Sequence, residues 1–473
     1  MMMKRDELLI GWAVEDITPH GPVVLFGQYY DRQSRYVESA LTATACAMAS
    51  GDGKEQAILI SMDLIWCTAS LRLALSTILH NRLPGFDSRY LVVNATHTHS
   101  APSPDIDTDY GRQLLEKLGN IAVKAWQNKK PAGISRALEY AAVGHNRRVR
   151  YADGSAEMYG ATDRSDFTGI EGPSDSAVDM LFCWDDAGRL TGVVMNVPCP
   201  AQVTESKYFV SADFWSEVRK QLRQHLGNDV HLLPQCGAAG DISPRNLLRP
   251  YTPDEPNMWD LPGMTEAGSR LARALLAAYP GAAKAIQRQP VFKHMAAEVQ
   301  IPARTVTEQE FEEAKAIVEE IRAREPEDPA SPATAFNRFL AGISANEAVR
   351  AYGPWDNKNT DYGILRKKEM ILSQYAQHRV QPFYPVPVHA IRIGDAVMAT
   401  NPFELFVDYG ARIKGRSKAA QTFVVQLCDD YGDYLPTQTA IEGGGYSAMA
   451  TPVGPDGGAV LVEETLRLIN AMF

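Results

Sequence analysis

The sequence lacks the features that define several classes of protein. No apolar run reaches the roughly 18 residues that a transmembrane helix needs. Lysine and arginine (47) are outnumbered by aspartate and glutamate (57), which gives a net charge of −10. Because no basic block interrupts this balance, the sequence does not indicate a surface for nucleic acid or anionic membrane. Glycine (35) and proline (29) are near their usual frequency for 473 residues, which excludes collagen-like and low-complexity chains.

Cysteine is scarce and dispersed. There are 6 cysteines and no CxxC pair, a distribution that fits reduced thiols better than a disulfide framework. The N-terminal residues lack the apolar core of about 7–15 residues and the small-residue cleavage site of a secretory signal. These features together predict a cytoplasmic protein.

The pattern of apolar residues predicts a mixed α/β (α+β) fold in which central sheets are flanked by helices. Runs of β-branched residues predict strands at 57–65, 90–94, 192–197 and 422–427. A further strand pattern covers 385–399 and includes a turn at Gly394-Asp. Helical spacing predicts helices at 69–82, 214–225, 308–324 and 460–473. We expect one domain over 1–473, with a helical insertion at about 305–380 around the linker-like stretch 325–332.

The stretch Asn94-Ala-Thr-His-Thr-His-Ser-Ala-Pro carries the strongest chemical signal. It follows an apolar run, so His97 and His99 come at the end of a buried strand. Period-two geometry predicts both imidazoles on one face, where they could bind a metal or transfer protons. A structural pair of hydrogen-bonded histidines is the alternative.

Two other stretches carry weaker signals. Gly237-Ala-Ala-Gly-Asp-Ile-Ser-Pro-Arg follows a strand-like run, and Ser243 could be a nucleophile near free backbone amides. An ordinary turn in which Asp241 satisfies local amides explains it equally well. Glu404 follows Pro402, where it could be a metal ligand or a residue that begins a helix, and three glycines before Tyr446 indicate an unusual bend.

Taken together, these stretches resemble the N-terminal catalytic domain of the neutral/alkaline non-lysosomal ceramidase family. Asn94–Pro102 is similar to its Ala-Thr-His-Thr-His-Ser-Gly-Pro motif, and 237–245 to its Gly-Asp-x-Ser-Pro loop. The segment Pro402-Phe-Glu-Leu-Phe, the stretch Tyr434–Thr437 and Gly444-Gly-Tyr446 resemble later family segments in the same order. The opening Gly11-Trp-Ala-Val-Glu-Asp-Ile-Thr-Pro and Gly27-Gln-Tyr-Tyr do so as well.

The resemblance implies a zinc amidohydrolase that cleaves an N-acyl bond. It implies His97, Glu404 and Tyr446 as zinc ligands and His99 beside the metal. It also implies Ser243 as a nucleophile or as a group that orients water. Such a zinc ion would polarise the carbonyl and activate water.

The sequence departs from the family at two histidines. Pro200 stands where a second zinc histidine is expected, and Glu38 stands where another imidazole of the site is expected. If the metal is retained, Cys199 or Glu38 could complete the site. Cys199 as a small buried apolar residue is the competing interpretation.

Other residues suggest what the substrate is. The basic segment from His145 includes Asn146, Arg147 and Arg148, and an arginine there could clamp a carboxylate or a sugar acid. The alternative is that these arginines lie in a solvent-exposed charged turn. We also predict substrate contacts for Asp241, Arg245 and Tyr434.

The sequence is compatible with three functions. The first is a cytoplasmic hydrolase that cleaves an amide bond of a small polar molecule with metal-activated water or Ser243. The second is a lyase or glycoside-cleaving enzyme acting on a carbohydrate or uronic acid, in which Tyr446, His99 and Glu38 would transfer protons. The third is a metal-free binding protein.

Overall fold

The computed structural model describes residues 7–249, 258–345 and 360–473. The strands in chain order are β1 (Leu8–Asp16), β2 (Val24–Leu25), β3 (Arg32–Gln33), β4 (Tyr36–Val37), β5 (Thr42–Ser50), β6 (Gln56–Met62), β7 (Leu91–Ala95), β8 (Lys130–Tyr140), β9 (His145–Asn146), β10 (Arg148–Tyr151), β11 (Ala156–Met158), β12 (Phe167–Ile170), β13 (Ala177–Asp185), β14 (Leu190–Val197), β15 (Phe209–Val210), β16 (His231–Cys236), β17 (Ile242–Ser243), β18 (Phe292–Pro302), β19 (Phe383–Ile393), β20 (Ala396–Thr400), β21 (Glu404–Leu405), β22 (Gln421–Val425) and β23 (Tyr434–Leu435).

The helices in chain order are α1 (Ala69–Arg82), α2 (Asp109–Gln127), α3 (Phe214–Leu226), α4 (Asp260–Ala282), α5 (Glu308–Ala323), α6 (Ala335–Ala345), α7 (Asp361–Val380), α8 (Val407–Arg416), α9 (Gln438–Gly443), α10 (Tyr446–Met449) and α11 (Gly457–Asn470). The predicted mixed α/β fold is confirmed. Three of these helices, α5 to α7, lie between β18 and β19, in the region where the sequence predicts a helical insertion.

Two sheets form the middle of the fold. The first has eight strands in the order β16-β14-β13-β8-β1-β5-β6-β7, and the second has four in the order β18-β19-β20-β22. Most neighbours are antiparallel, but three pairs are parallel: β6 with β7, β14 with β16 and β20 with β22. The carboxyl ends of these parallel pairs carry the loops that form the candidate site.

The sequence of β5 shows how the layers are specified. Its side chains alternate between the two faces of the sheet. Ala43, Ala45 and Ala47 pack against α1 and α2, whereas Cys46 and Met48 pack toward the second sheet. The small alanines let the helices approach one face of the sheet closely. Alternate side chains of the strand therefore pack against two different layers.

The remaining layers follow the same logic. A core shared by Ile10 and Trp12 of the first sheet with Ile391, Met398 and Phe423 of the second joins the two sheets face to face. Helices α3 and α4 cover the other half of the first sheet, and α8 and α11 cover the outer face of the second. The result is a helix–sheet–sheet–helix arrangement.

The strand pattern predicted over 385–399, with its turn at Gly394, is observed as the two strands β19 and β20. At that turn Gly394 has a φ of 66°, which lies in the left-handed region that favours glycine. The predicted helix over 69–82 is observed as α1, and its N-cap is Thr68, whose side chain accepts from the amide of Leu71.

Candidate active site

The site forms where chain segments leave the parallel strand pairs. His97 and His99 follow β7, the loop ending at Ser243 follows β16, and Glu404 follows β20. Ligand sites in open sheets lie at such carboxyl ends of strands. A fourth segment, which includes Gln202, follows β14. The sequence therefore brings together groups that are up to about three hundred residues apart.

The two histidines of the first motif face one another. Their Nε2 atoms are 3.4 Å apart, and their rings meet edge to face with centroids 4.9 Å apart. The period-two explanation for this proximity is wrong, because β7 ends at Ala95 and His97 has a left-handed backbone with φ of 63°. A non-glycine residue rarely adopts that conformation, and such strain concentrates at functional sites.

Hydrogen bonding orients the ring of His97. Its Nδ1 lies 2.8 Å from the carbonyl oxygen of Ile65, so Nδ1 carries the proton and donates it there. The Nε2 atom then points to His99 and to Glu404, whose Oε2 is 3.4 Å away. Burial lowers the pKa of His99 well below its usual range, and nearby His97 adds to the effect. His99 is therefore neutral at neutral pH.

Glu404 is buried and ionised. Burial alone would raise its pKa, but His97 and Arg147 together lower it below the usual range for glutamate. The Nη2 atom of Arg147 lies 3.7 Å from Glu404 Oε2, and both side chains are only 4% exposed. Arg147 is thus the predicted substrate-binding residue whose charge lies inside the cluster.

Three tyrosines surround the carboxylate and the guanidinium. Tyr434 accepts a hydrogen bond from Arg147 (3.3 Å), and so does Tyr159 (3.1 Å). Burial raises the pKa of Tyr434 and Tyr159, and raises that of Tyr446 to about 12. All three hydroxyls are consequently protonated at neutral pH, which makes them hydrogen-bond donors and not bases.

An aromatic wall borders the site. Trp66 stacks on Tyr431 with ring centroids 4.1 Å apart, and the Tyr431 hydroxyl donates to Glu404 over 3.4 Å. Tyr446 lies edge to face between Tyr29 and Tyr434, each at a centroid distance of 5.6 Å. Flat aromatic faces beside polar groups suit a ligand that is both polar and partly apolar.

The predicted zinc site needs a set of ligand atoms that lie close together. Within the described ranges, no group of three or more His, Cys, Asp or Glu side chains could hold a metal ion. Pro200 offers no side-chain donor. The Cys199 thiol donates to the carbonyl oxygen of Val143 (3.3 Å), and burial raises its pKa, which disfavours the thiolate that binds metal. The residues present do not fit a zinc ion held by His97, Glu404, Tyr446 and Cys199.

Ser243 lies next to the cluster. It is buried, and its Oγ accepts from the Tyr159 hydroxyl and from the amide of Arg245, each over 3.3 Å. Neither partner is a base. The nucleophile role predicted for Ser243 therefore has no activating group in these contacts, and positioning of Tyr159 is the role that the contacts support.

Several predicted substrate-binding residues instead hold the loops together. Asn146 donates to Asp241 (2.7 Å), and Asp241 accepts from the amide of Val407 (2.8 Å). Arg148 is paired with Glu171 at 2.6 Å. These contacts correct the solvated-charge interpretation of the basic segment, because Arg148 is fully buried in an ion pair.

Two further residues contact partners outside the histidine cluster. The Arg245 guanidinium lies over the Trp259 ring, and Glu38 accepts from the Ser211 hydroxyl over 2.8 Å. The structure thus gives Glu38 a contact with Ser211 at the position where the family resemblance implies an imidazole.

Four groups of the cluster were not predicted from the sequence: Tyr159, Gln202, Glu205 and Trp66. Gln202 Nε2 donates to Glu205 (2.8 Å), and Glu205 lies 3.8 Å from Nδ1 of His99. Nothing in their local sequence distinguishes these residues from ordinary loop residues. Only the proximity of Gln202 to Pro200, where the sequence departs from the family, draws attention to them.

Across the residues that the structure covers, none of the helices combines the length and the apolar character needed to cross a membrane.

Comparison with known proteins identifies the fold. No family model and no curated protein matches the chain. Among solved structures, the neutral ceramidase from Pseudomonas aeruginosa matches with a TM-score of 0.67 and 16% sequence identity, covering 98% of this chain and 74% of that one. A ceramidase complexed with C2 matches with the same score and identity and is covered to 75%. The chain therefore has a ceramidase-like fold.

Proposed function

We propose that this protein is a hydrolase that cleaves the amide bond of a small polar N-acyl substrate in the cytoplasm. One observation carries the proposal: two acceptor atoms of the cluster lie close to a third, Nε2 of His97. Nε2 of His97 lies 3.4 Å both from Nε2 of His99 and from Oε2 of Glu404. The similarity to neutral ceramidases, whose name describes an amide-cleaving activity, supports the same reaction class.

The protonation states make the three atoms acceptors. His97 carries its proton on Nδ1, which faces Ile65. His99 has Nδ1 beside the Glu205 carboxylate, which favours the proton there and leaves Nε2 free. A water molecule beside these three atoms can therefore donate hydrogen bonds to two of them while its own lone pair stays available for attack.

The reaction follows from these positions. The water oxygen forms a bond to the substrate carbonyl carbon while its proton passes to Nε2 of His99. The resulting imidazolium returns the proton to the amide nitrogen as the C–N bond breaks, which yields a carboxylic acid and an amine. His99 is suited to the first step because its low pKa keeps it neutral and able to accept a proton.

The negative charge that develops on the carbonyl oxygen also needs a partner. Arg147 and the protonated Tyr434 lie on the Glu404 side of the cluster, where the guanidinium charge attracts an oxyanion and the Tyr434 hydroxyl can donate a hydrogen bond to it. Because the Glu404 carboxylate repels an anion, the negatively charged carbonyl oxygen is most stable where it lies nearer the Arg147 guanidinium. The residues thus divide into a proton-accepting side and a charge-stabilising side.

A second candidate is β-elimination from a uronic acid. The observation that favours it is the Arg147 guanidinium beside an aromatic wall, since a guanidinium binds a sugar carboxylate and an aromatic face packs on a sugar ring. His99 would then remove a carbon-bound proton. Tyr446 is not suited to be the base, because its pKa is raised to about 12.

The test is a panel of N-acyl amino acids, N-acetylated sugars and uronic-acid oligomers. Hydrolysis releases a primary amine, whereas elimination creates a C=C bond that absorbs ultraviolet light. We expect amine release that is lost in His99→Gln and retained in Arg164→Met, an exposed arginine paired with Asp166. Release of the unsaturated product supports the lyase, and binding without turnover across the panel contradicts both enzymes.

A further inference from the structure

We propose that this site works without a bound metal ion, and that the Arg147 guanidinium supplies the fixed positive charge that Glu404 would otherwise share with a metal. The use of that charge in catalysis rests on the proposed amide hydrolysis. The charge balance itself does not, so the two ideas are tested by different measurements.

The first support is the Glu404–Arg147 pair. Their charged atoms are 3.7 Å apart and both side chains are almost fully buried. A guanidinium stays protonated in proteins and is the weakly hydrated cation best suited to burial beside a carboxylate. Glu404 consequently has a cationic partner built into the chain.

Arg147 is held firmly in that place. Its Nη2 donates to the carbonyl oxygen of Gly240 (2.9 Å) and to Tyr434, while its Nη1 donates to Tyr159 and to Gln202 Oε1 (3.4 Å). These acceptors come from four different segments of the chain. The guanidinium is therefore a fixed element of the site.

A second guanidinium and a second carboxylate lie beside His99. Arg32 is fully buried and donates to the carbonyl oxygen of His99 over 2.6 Å, while the Glu205 carboxylate lies 3.8 Å from His99 Nδ1. Among these four groups, the carboxylates of Glu404 and Glu205 and the guanidiniums of Arg147 and Arg32 balance in formal charge. A divalent ion at Glu404 would have to bind beside the fixed Arg147 guanidinium, and the repulsion between the two positive charges in a buried region is unfavourable.

Gln202 links the two halves of this arrangement. Its Oε1 accepts from Arg147 and its Nε2 donates to Glu205. It lies two residues after Pro200, where the family resemblance implies a zinc histidine. The segment that would contribute a metal ligand contributes instead an amide that supports the arginine.

The test measures metal content and thermal stability of the full chain. We expect metal far below one ion per chain by elemental mass spectrometry, and the same Tm in buffer, in excess zinc and in excess chelator. An ion that binds only the folded protein raises Tm by mass action. About one zinc per chain that is lost in His97→Ala, or a zinc-dependent rise in Tm that is absent in His97→Ala, would overturn the proposal.

Variants test the charge pair directly. Arg147→Met should lower Tm, and adding Glu404→Gln should recover part of the loss because the unpaired carboxylate is removed. Arg148→Met is the matched control: it removes the adjacent buried arginine, whose partner is Glu171, so Glu404→Gln should not rescue it. Equal rescue of both would contradict the pairing. If Arg147→Met does not fold, the metal content of the wild type still decides.

Discussion

The chain contains two pairs of buried histidines, and their surroundings differ in an instructive way. In the pair between the sheets, His294 Nε2 lies 2.9 Å from His389 Nδ1, and His294 Nδ1 lies 2.8 Å from the carbonyl oxygen of Gln56. His389 Nε2 continues the chain to Asp429 at 3.2 Å. The His97–His99 contact is longer, at 3.4 Å, and the Glu404 carboxylate lies 3.4 Å from Nε2 of His97.

The difference separates a structural pair from a chemical one. Every ring nitrogen of His294 and His389 has a partner, so these rings connect the first sheet to the second and have no free atom to offer a ligand. In the other pair, the two Nε2 atoms lie 3.4 Å apart beside the Glu404 carboxylate, and a donor that enters can bond to them. Buried histidines therefore indicate function when their acceptors remain available.

The largest expected effect comes from His99. His99→Gln should reduce kcat for amide hydrolysis by about 10²- to 10⁴-fold, which is the range for loss of a general acid–base group. Unfolding in urea should change by only about 1 kcal/mol, because the ring makes long contacts. A variant that loses stability in proportion to activity would place His99 in the structural class.

The pair between the sheets should respond in the opposite way. Asp429 accepts from Arg72 and from the amide of Val93 as well as facing His389. Asp429→Ala should cost about 3–5 kcal/mol of unfolding free energy because it leaves buried charge unpaired. Asp109→Ala, at an exposed aspartate, is the control and should stay within about 1 kcal/mol. Similar losses in the two variants would argue against a structural role for the cluster.

Lowering the pH should reduce the stability that this histidine pair contributes. Burial lowers the pKa of His294 to about 3, so the unfolded state binds this proton more tightly, and the stability it contributes is complete above about pH 6.5 and is lost as pH falls from there toward 3. The slope attributable to His294 approaches about 1.4 kcal/mol per pH unit. Buried Asp213, Asp241 and Asp433, whose pKa values are raised to about 6, act in the opposite direction.

The difference between wild type and His294→Gln therefore isolates the histidine. Urea unfolding between pH 6.5 and pH 4.5 should show a shallower loss of stability in the variant. Parallel curves for the two proteins would contradict the assignment of a neutral, buried His294.

The smallest effect concerns Cys199. Because its thiol donates to backbone carbonyl oxygens, those of Val143 and Pro200, Cys199→Ala should leave kcat unchanged and cost about 1 kcal/mol of stability. Steady-state kinetics and urea unfolding of the purified variant are sufficient. A large loss of activity would instead support the predicted role of Cys199 as a metal ligand.

Local patterns were sufficient to predict the fold class and part of the site. The alternation in β5 and the apolar run before Asn94 depend on nearest neighbours, which is why the sheets and the position of His97 could be anticipated. These two predictions rely on residues within one strand or one turn. Glu404 was identified by the family resemblance, and its local pattern allowed a helix start, whereas the residue lies in the short strand β21.

The rest of the site depends on contacts between distant segments. Arg147 reaches Gly240 and Tyr434, 93 and 287 residues away, and no local signal distinguishes it from Arg148, whose partner is Glu171. His97 reaches its place through a left-handed backbone that period-two reasoning does not anticipate. Charge compensation is a property of the assembled cluster, so motifs alone could not anticipate it.

The most direct test of the account is the rate of amine release from N-acyl substrates in excess chelator, measured for wild type and His99→Gln. The account predicts turnover by the wild type that chelator does not diminish and that His99→Gln reduces by at least about 10²-fold. Amine release that stops in chelator and returns with zinc, or that persists undiminished in His99→Gln, would contradict it.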